Sequence, residues 1–274
     1  MDGESRFFTA NGLRLHYLDW GNRGAPAVIC VHGFRGNGHA FDGPARRLSG
    51  RFRVIAVDVR GRGESEWSKE GAYEMADYCA DLSGLVAELG LERFRLIGTS
   101  MGGRIGMVYA KEHGDRLERL VLNDIGPDNE AGGDRITAEA GSTPAEFGSL
   151  DAVLAYRRQT FPAAAGLPNE EQRVAALTLY REVGSRWVAK SDPEFLRQRA
   201  LHGAKGVPQA WETLSRLECP TLVVWGTASD VLSEGQAARM VSVLKRGELV
   251  RVPGVGHAPS LNEAEAARAL DEFL

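Results

Sequence analysis

The stretch Phe94-Arg95-Leu96-Ile97-Gly98-Thr99-Ser100-Met101-Gly102-Gly103, continuing as RIGMVYAKEH through His113, decides how this chain is read. A short apolar run suited to a buried strand ends in a glycine-x-serine-x-glycine pentapeptide, and a segment with helical spacing follows at once. A strand that turns directly into a helix at such a pentapeptide lifts the central hydroxyl above the sheet edge. The flanking glycines let neighbouring backbone approach without a Cβ clash. The helix behind Ser100 presents free N–H groups and positive dipole charge where an oxyanion would form. Ser65 and Ser229 also lie near glycines or acids, but neither stands at a strand-to-helix turn.

Outward from this turn, the runs AVICVHG, RVIAVDVRG, RLVLNDIG, TLVVWGT and ELVRVPG have the same continuous apolar character. Such runs suit strands buried on both faces of a parallel sheet. Helical segments separate several of them, at residues 77–89, 102–113 and 234–244, as repeated strand-helix-strand units require. The N-terminal RFFTA and LRLHYLDW alternate apolar and polar residues around Asn11-Gly12, which predicts an antiparallel hairpin at a sheet edge. The expected fold is therefore α/β, a mostly parallel eight-stranded sheet with helices on both faces. Between about Gly126 and Trp211 no buried-strand run occurs, and Pro144, Pro162, Pro168, Pro193 and Pro208 punctuate helical segments. Residues 126–211 are thus expected to form an inserted helical cap between core parts at 1–125 and 212–274. The final helix, in NEAEAARALDEFL, has Asn262 as its expected N-cap.

A serine nucleophile needs a base and a group to orient that base. His257, in VPGVGHAPS, follows the last strand-like run and is expected at the same sheet edge as Ser100. His16, His39, His113 and His202 fall in a hairpin, a helix start, a helix end and the cap, positions that suit structural or exposed roles. In the order serine, acid, histidine, Asp230 in WGTASDVLS is the leading candidate for the acid, and Asp124 at the end of RLVLND is the alternative. The loop His32-Gly33-Phe34 can offer the Phe34 N–H as a second oxyanion donor beside that of Met101, while His32 itself is expected to shape the turn. Arg35 could meet a substrate carboxylate, although a loop arginine is more often solvated. In the cap, Phe147, Phe161, Trp187 and Phe195 offer apolar surface, and Phe161 and Trp187 join Arg35 as expected substrate contacts.

Composition narrows the remaining possibilities. The formal charge of −4 over 274 residues comes from interleaved acids and bases, without the basic stripe that a nucleic-acid partner requires. The start MDGESRFF lacks the features of a secretory signal, and no stretch approaches a membrane span, so no membrane partner is expected. Cys30, Cys79 and Cys219, odd in number and widely spaced, suggest reduced thiols in a cytoplasmic protein. Asp58-Val59-Arg60-Gly61-Arg62-Gly63 fits neither phosphate-loop pattern, and no cluster has metal-ligand spacing. Neither a cofactor nor a metal is expected.

Four separated pieces, HGF at 32–34, DVRGRGES at 58–65, GTSMGG at 98–103 and GVGHAP at 254–259, resemble the α/β-hydrolase superfamily; within it, VLNDIGP at 121–127 and SDVLS at 229–233 resemble carboxylesterase-like serine hydrolases with a helical cap. The resemblance covers nearly the whole chain outside the cap. It implies Ser100, Asp230 and His257 as a catalytic triad, Phe34 and Met101 as oxyanion donors, and a small-molecule ester as substrate. Haloalkane dehalogenases and epoxide hydrolases of this fold carry aspartate where this chain has Ser100, which disfavours those reactions. A second reading is hydrolysis of a carbon–carbon bond in a vinylogous diketone, with Arg157, Arg158, Arg186 or Arg197 handling an enolate. A third is a ligand receptor on the same fold.

Overall fold

The computed structural model describes residues 2–161, 166–203 and 206–274; Pro162 of the cap lies outside them. Asn11 and Gly12 both take positive φ, 49° and 76°, as a tight two-residue hairpin turn demands. They join β1 (Glu4–Ala10) to β2 (Leu13–Asp19) with Ala10 opposite Leu13. The chain then alternates: β3 (Ala27–Val31), α1 (Asp42–Leu48), β4 (Arg53–Asp58), α2 (Met75–Glu88), β5 (Phe94–Thr99), α3 (Met101–His113) and β6 (Leu117–Asn123). Every strand of this series coincides with an apolar run read in the sequence.

The insertion after β6 is not wholly helical. It holds α4 (Ala131–Gly141), α5 (Leu150–Thr160), α6 (Asn169–Leu179) and α7 (Pro193–His202). It also holds a three-stranded antiparallel sheet of β7 (Glu146–Phe147), β8 (Tyr180–Val183) and β9 (Arg186–Ala189), in the order β7-β9-β8. These strands are two to four residues long and mostly exposed or half-buried, so they leave no continuous apolar run of the kind that marks a buried strand. The cap has its own small core, in which Phe147, Val153, Leu154, Ala176 and Tyr180 pack with Trp187. A short helix, α8 (Ala210–Arg216), returns the chain to the main sheet beside α3.

The remaining units are β10 (Thr221–Gly226), α9 (Glu234–Val243), β11 (Gly247–Val252) and α10 (Ala264–Phe273). Glu263, not Asn262, occupies the N-cap position of α10. The eight-stranded sheet runs β1-β2-β4-β3-β5-β6-β10-β11, parallel from β4 to β11, with β1 and β2 antiparallel at one edge. Because side chains alternate along a strand, Ile29, Ile55, Leu96, Leu122 and Val223 face one core with α2, α3 and α9. Val28, Val54, Ile97, Val121 and Val224 face the other with α1 and α10. The sheet is thus buried on both faces, and its free surface for chemistry is the edge where parallel strands end.

At that edge α3 is pressed against the sheet more closely than side chains permit. A Cβ on Gly102 would lie 2.0 Å from the Val31 carbonyl oxygen, and one on Gly98 would lie 2.4 Å from that of Gly102. The pentapeptide glycines are therefore packing requirements of the β5–α3 turn. Gly102→Ala is expected to destabilise the protein by at least about 2 kcal/mol in urea unfolding. Gly50→Ala, where a Cβ meets nothing within 4 Å, should stay within about 1 kcal/mol of the parent.

Candidate active site

Ser100 sits between β5 and α3 with φ 53° and ψ −115°, a conformation that a non-glycine residue holds only when its surroundings enforce it. Its N–H donates to the Asn123 carbonyl of β6 at 2.9 Å, and its own carbonyl accepts from Gly103 and Arg104. Local bonding thus fixes the turn on both sides. The hydroxyl meets His257 Nε2 at 2.8 Å. His257 comes from the loop after β11. That loop is held where the Asn123 amide donates to the Pro259 carbonyl, Ala228 N–H to the Val255 carbonyl, and Gly254 N–H to Thr227 Oγ1.

The other ring nitrogen, Nδ1, faces Asp124 Oδ2 at 2.8 Å. Asp124 is fully buried. Its carboxylate also accepts from the Gly226 N–H at 3.0 Å and from the Ser229 hydroxyl at 2.6 Å. The expected position of Asp230 is therefore taken by Asp124. Asp230 lies four residues beyond β10, on a loop that carries its side chain outward until it is 42% exposed. There it forms a forked pair with Arg135 of α4, at 2.6 and 3.0 Å. The Arg135 hydrogen bond holds the Asp230 carboxyl below the usual carboxylate range. The deciding fact is lateral order. β6 lies next to β5 in the sheet, so the first residue past its end stands beside Ser100. From the loop after β10, it is Ser229 that reaches the site.

His32 is buried, and its Nδ1 donates to the Gly33 carbonyl at 2.7 Å while Nε2 accepts from the Val59 N–H at 3.2 Å. Burial lowers its pKa to about 4. The ring is thus a neutral brace of the loop after β3, as its turn-shaping reading requires. That loop abuts the nucleophile: a Cβ on Gly33 would lie 3.4 Å from Ser100 Cβ. The Phe34 and Met101 residues that follow Gly33 and Ser100 both line the cavity at Ser100. Met101 opens α3, so its amide is one of those a helix leaves without an internal partner.

The cavity encloses about 500 Å³ and is largely apolar, with Phe34, Tyr78, Met107, Ile125 and Phe195 among its walls. Phe195 of α7 meets Phe34 at 4.4 Å between centroids and lies under the Arg62 guanidinium at 3.1 Å. The DVRGRGES run is accordingly structural. Arg60 forms a bidentate pair with Asp81, Asp58 accepts from the Gly38 and Glu64 amides, and Arg62 braces the Phe34 carbonyl. Of the expected substrate contacts, Trp187 packs in the cap core. Arg35 donates to Thr143 and lies over the Phe161 ring at 5.4 Å, and none of the three is among the residues lining the cavity. Arg158 and Arg197 are hydrogen-bonded to Gln172 and Glu194, Arg186 lies 3.9 Å from Glu146, and Arg157 faces Tyr180. The cavity instead receives Arg104 and Arg199, which the sequence reading passed over. Arg104 carried a signal: four residues after Ser100, it shares that residue's side of the helix.

Residues 26–264 match the model of the alpha/beta hydrolase fold family. A 3-hydroxybutyrate-oligomer hydrolase of Cupriavidus necator is 36% identical over 277 residues, covering 95% of this chain and 92% of the relative. A 2-(acetamidomethylene)succinate hydrolase of Mesorhizobium japonicum is 30% identical, over 85% of this chain and 81% of the relative. An alpha/beta hydrolase of Novosphingobium aromaticivorans superposes with a TM-score of 0.87 at 31% identity, covering 99% and 97% of the two chains. The chain belongs to the α/β-hydrolase family and is a hydrolase. Among the described residues, no helix is long and apolar enough to cross a membrane.

The two aspartates separate cleanly by experiment. Asp124→Asn is expected to lower kcat for a p-nitrophenyl ester by about 10⁴-fold, the order seen when the orienting carboxylate of a triad is neutralised. Asp230→Asn should change it by less than about 10-fold, since that side chain serves a surface ion pair. The reverse ranking would return the role to Asp230.

Proposed function

We propose that the protein hydrolyses small carboxylic esters through an acyl-enzyme on Ser100, with His257 as base and Asp124 as its orienting acid. The observation that carries this reading is the continuous chain of hydrogen bonds from Ser100 Oγ through His257 to the buried Asp124, both links 2.8 Å, at the N-terminus of α3. Ser100 Oγ attacks the acyl carbon as His257 Nε2 takes its proton, and Asp124 stabilises the imidazolium. The Phe34 and Met101 amides hold the oxyanion. Collapse expels the alcohol, which takes the proton from His257, and water then releases the acid by the same steps.

The relative from Cupriavidus necator points to short oligoesters of a hydroxyacid as the substrate class. Carbon–carbon bond hydrolysis has less support, because none of the four arginines it called on, Arg157, Arg158, Arg186 and Arg197, is among the residues lining the cavity at Ser100. We assign the activity to the cytoplasm, a placement supported by three cysteines that form no disulfide.

Purified protein should turn over p-nitrophenyl butyrate and 3-hydroxybutyrate oligomers and be labelled by a fluorophosphonate at Ser100. Ser100→Ala should lose at least about 10⁴-fold in turnover. Absence of both turnover and labelling, or faster cleavage of a dienoate ring-fission product than of any ester, would sink the reading.

A further inference from the structure

The cavity that touches Ser100 also touches residues far along the helix behind it. From α3 it is lined by Met101, Arg104, Val108 and Lys111, which are spaced by three or four and so share one side of the helix. The ten steps from Met101 to Lys111 make a rise of about 15 Å. The cap helix α7 shows the same extent: Phe195 and His202, seven residues apart, both stand at the cavity wall and span about 10 Å of helix. The cavity is therefore a slot running lengthwise along α3 and α7, with the nucleophile near one end. Met107, Val108, Ile136 and Val207 contribute apolar wall. Lys111 and His202 are exposed, so the end away from Ser100 meets solvent.

The chemistry at Ser100 decides which part of an ester enters this slot. In the tetrahedral intermediate the attacked carbon holds four groups, and three have fixed destinations. One is Ser100 Oγ itself. The oxyanion faces the Phe34 and Met101 amides. The leaving oxygen must lie at His257 Nε2, which holds its proton 2.8 Å from Ser100 Oγ. The acyl chain takes the remaining direction. Ser100, Phe34 and Met101 line the cavity and His257 does not, so the slot leads away from the side on which the alcohol departs.

We propose that the slot is an acyl-chain subsite, which makes the enzyme select esters by the length of the acyl part and leaves it indifferent to the length of the alcohol. An extended chain advances about 1.25 Å per carbon–carbon bond and about 5 Å per hydroxybutyrate unit. The slot thus takes an acyl chain of about twelve carbons, or about three such units, before the chain reaches water. Burial of each further methylene favours binding until that point. The acyl assignment rests on the ester-hydrolase reading; the slot and its affinity for an extended chain do not. Val108, eight residues past Ser100 and about 12 Å along α3, is the specificity-determining position, because a large side chain there closes the slot part-way.

Two measurements separate the subsite from the chemistry. First, kcat/KM is followed through p-nitrophenyl esters from acetate to decanoate and through acetates of alcohols from ethanol to decanol. In the parent the acyl series should rise at least about ten-fold between butyrate and decanoate, while the alcohol series varies less than about three-fold. Val108→Trp should collapse the decanoate-to-butyrate ratio towards one. Should that variant not fold, Ile136→Trp enters the same slot from α4 and carries the same expectation. A flat acyl series, or an alcohol series that rises as steeply, would overturn the subsite, as would a ratio unmoved by a folded tryptophan variant. Second, Ser100→Ala protein is titrated calorimetrically with hexanoate and decanoate. Decanoate binding at least about ten-fold tighter than hexanoate, and weakened by adding Val108→Trp or Ile136→Trp, supports the slot even if no ester is cleaved, an outcome that would defeat only the ester reading. Binding that is absent, or equal for the two acids, would overturn the proposal.

Discussion

The buried carboxylate of Asp124 is the point on which the sheet edge depends. At zero exposure an aspartate is costly unless its oxygens are supplied with donors. Here the donors come from three places: the end of β10 at Gly226, the loop behind it at Ser229, and the loop after β11 at His257. Each bond satisfies the carboxylate and fixes the segment that provides it. The backbone of Asp124 itself departs from β6 at φ 54° and donates to the Val224 carbonyl. The orientation of the His257 imidazole towards Ser100 is thus a by-product of satisfying one buried group.

On the opposite side of the cavity, the cap is fastened to the core through polar bonds as well as apolar contacts, among them those of Phe195 with Phe34 and Tyr73. Asp192 N–H donates to the Gly61 carbonyl, Tyr73 donates to the Asp192 carboxylate, and Lys190 pairs with Glu64. Gln198 reaches the Gly71 carbonyl. These bonds set the start of α7, so that Phe195 packs against Phe34 and Arg62 and Arg199 follows one turn on. The DVRGRGES run thereby serves the cavity indirectly, as a platform for the cap helix.

A serine, a histidine and an aspartate within hydrogen-bond reach do not by themselves define a site of this kind. Ser5, His16 and Asp58 repeat the pattern, with His16 2.8 Å from each partner. Ser5, however, lies on the exposed strand β1 of the hairpin, with no helix N-terminus behind it. What distinguishes Ser100 is the turn that places it over the first amide of α3 and against the loop of Gly33 and Phe34.

The strands of the main sheet, the turn at Ser100 and the loop position of His257 are legible in the sequence, because each is written in adjacent residues. Continuous apolar runs encode burial on both faces, and glycines at 98 and 102 encode a close approach of backbone. Tertiary structure alone decided which aspartate meets the histidine, since Asp124 and Asp230 both follow strands and only the lateral order of β5, β6 and β10 separates them. It also decided that Trp187 packs inside the cap while Arg104 and Arg199 share the cavity, and that the cap holds a small sheet. Those outcomes depend on contacts between segments some hundred residues apart in the chain, or on strands too short and too exposed to leave a periodic trace. A local pattern records what each residue does to its own backbone, and it carries no record of which distant side chain will be its neighbour.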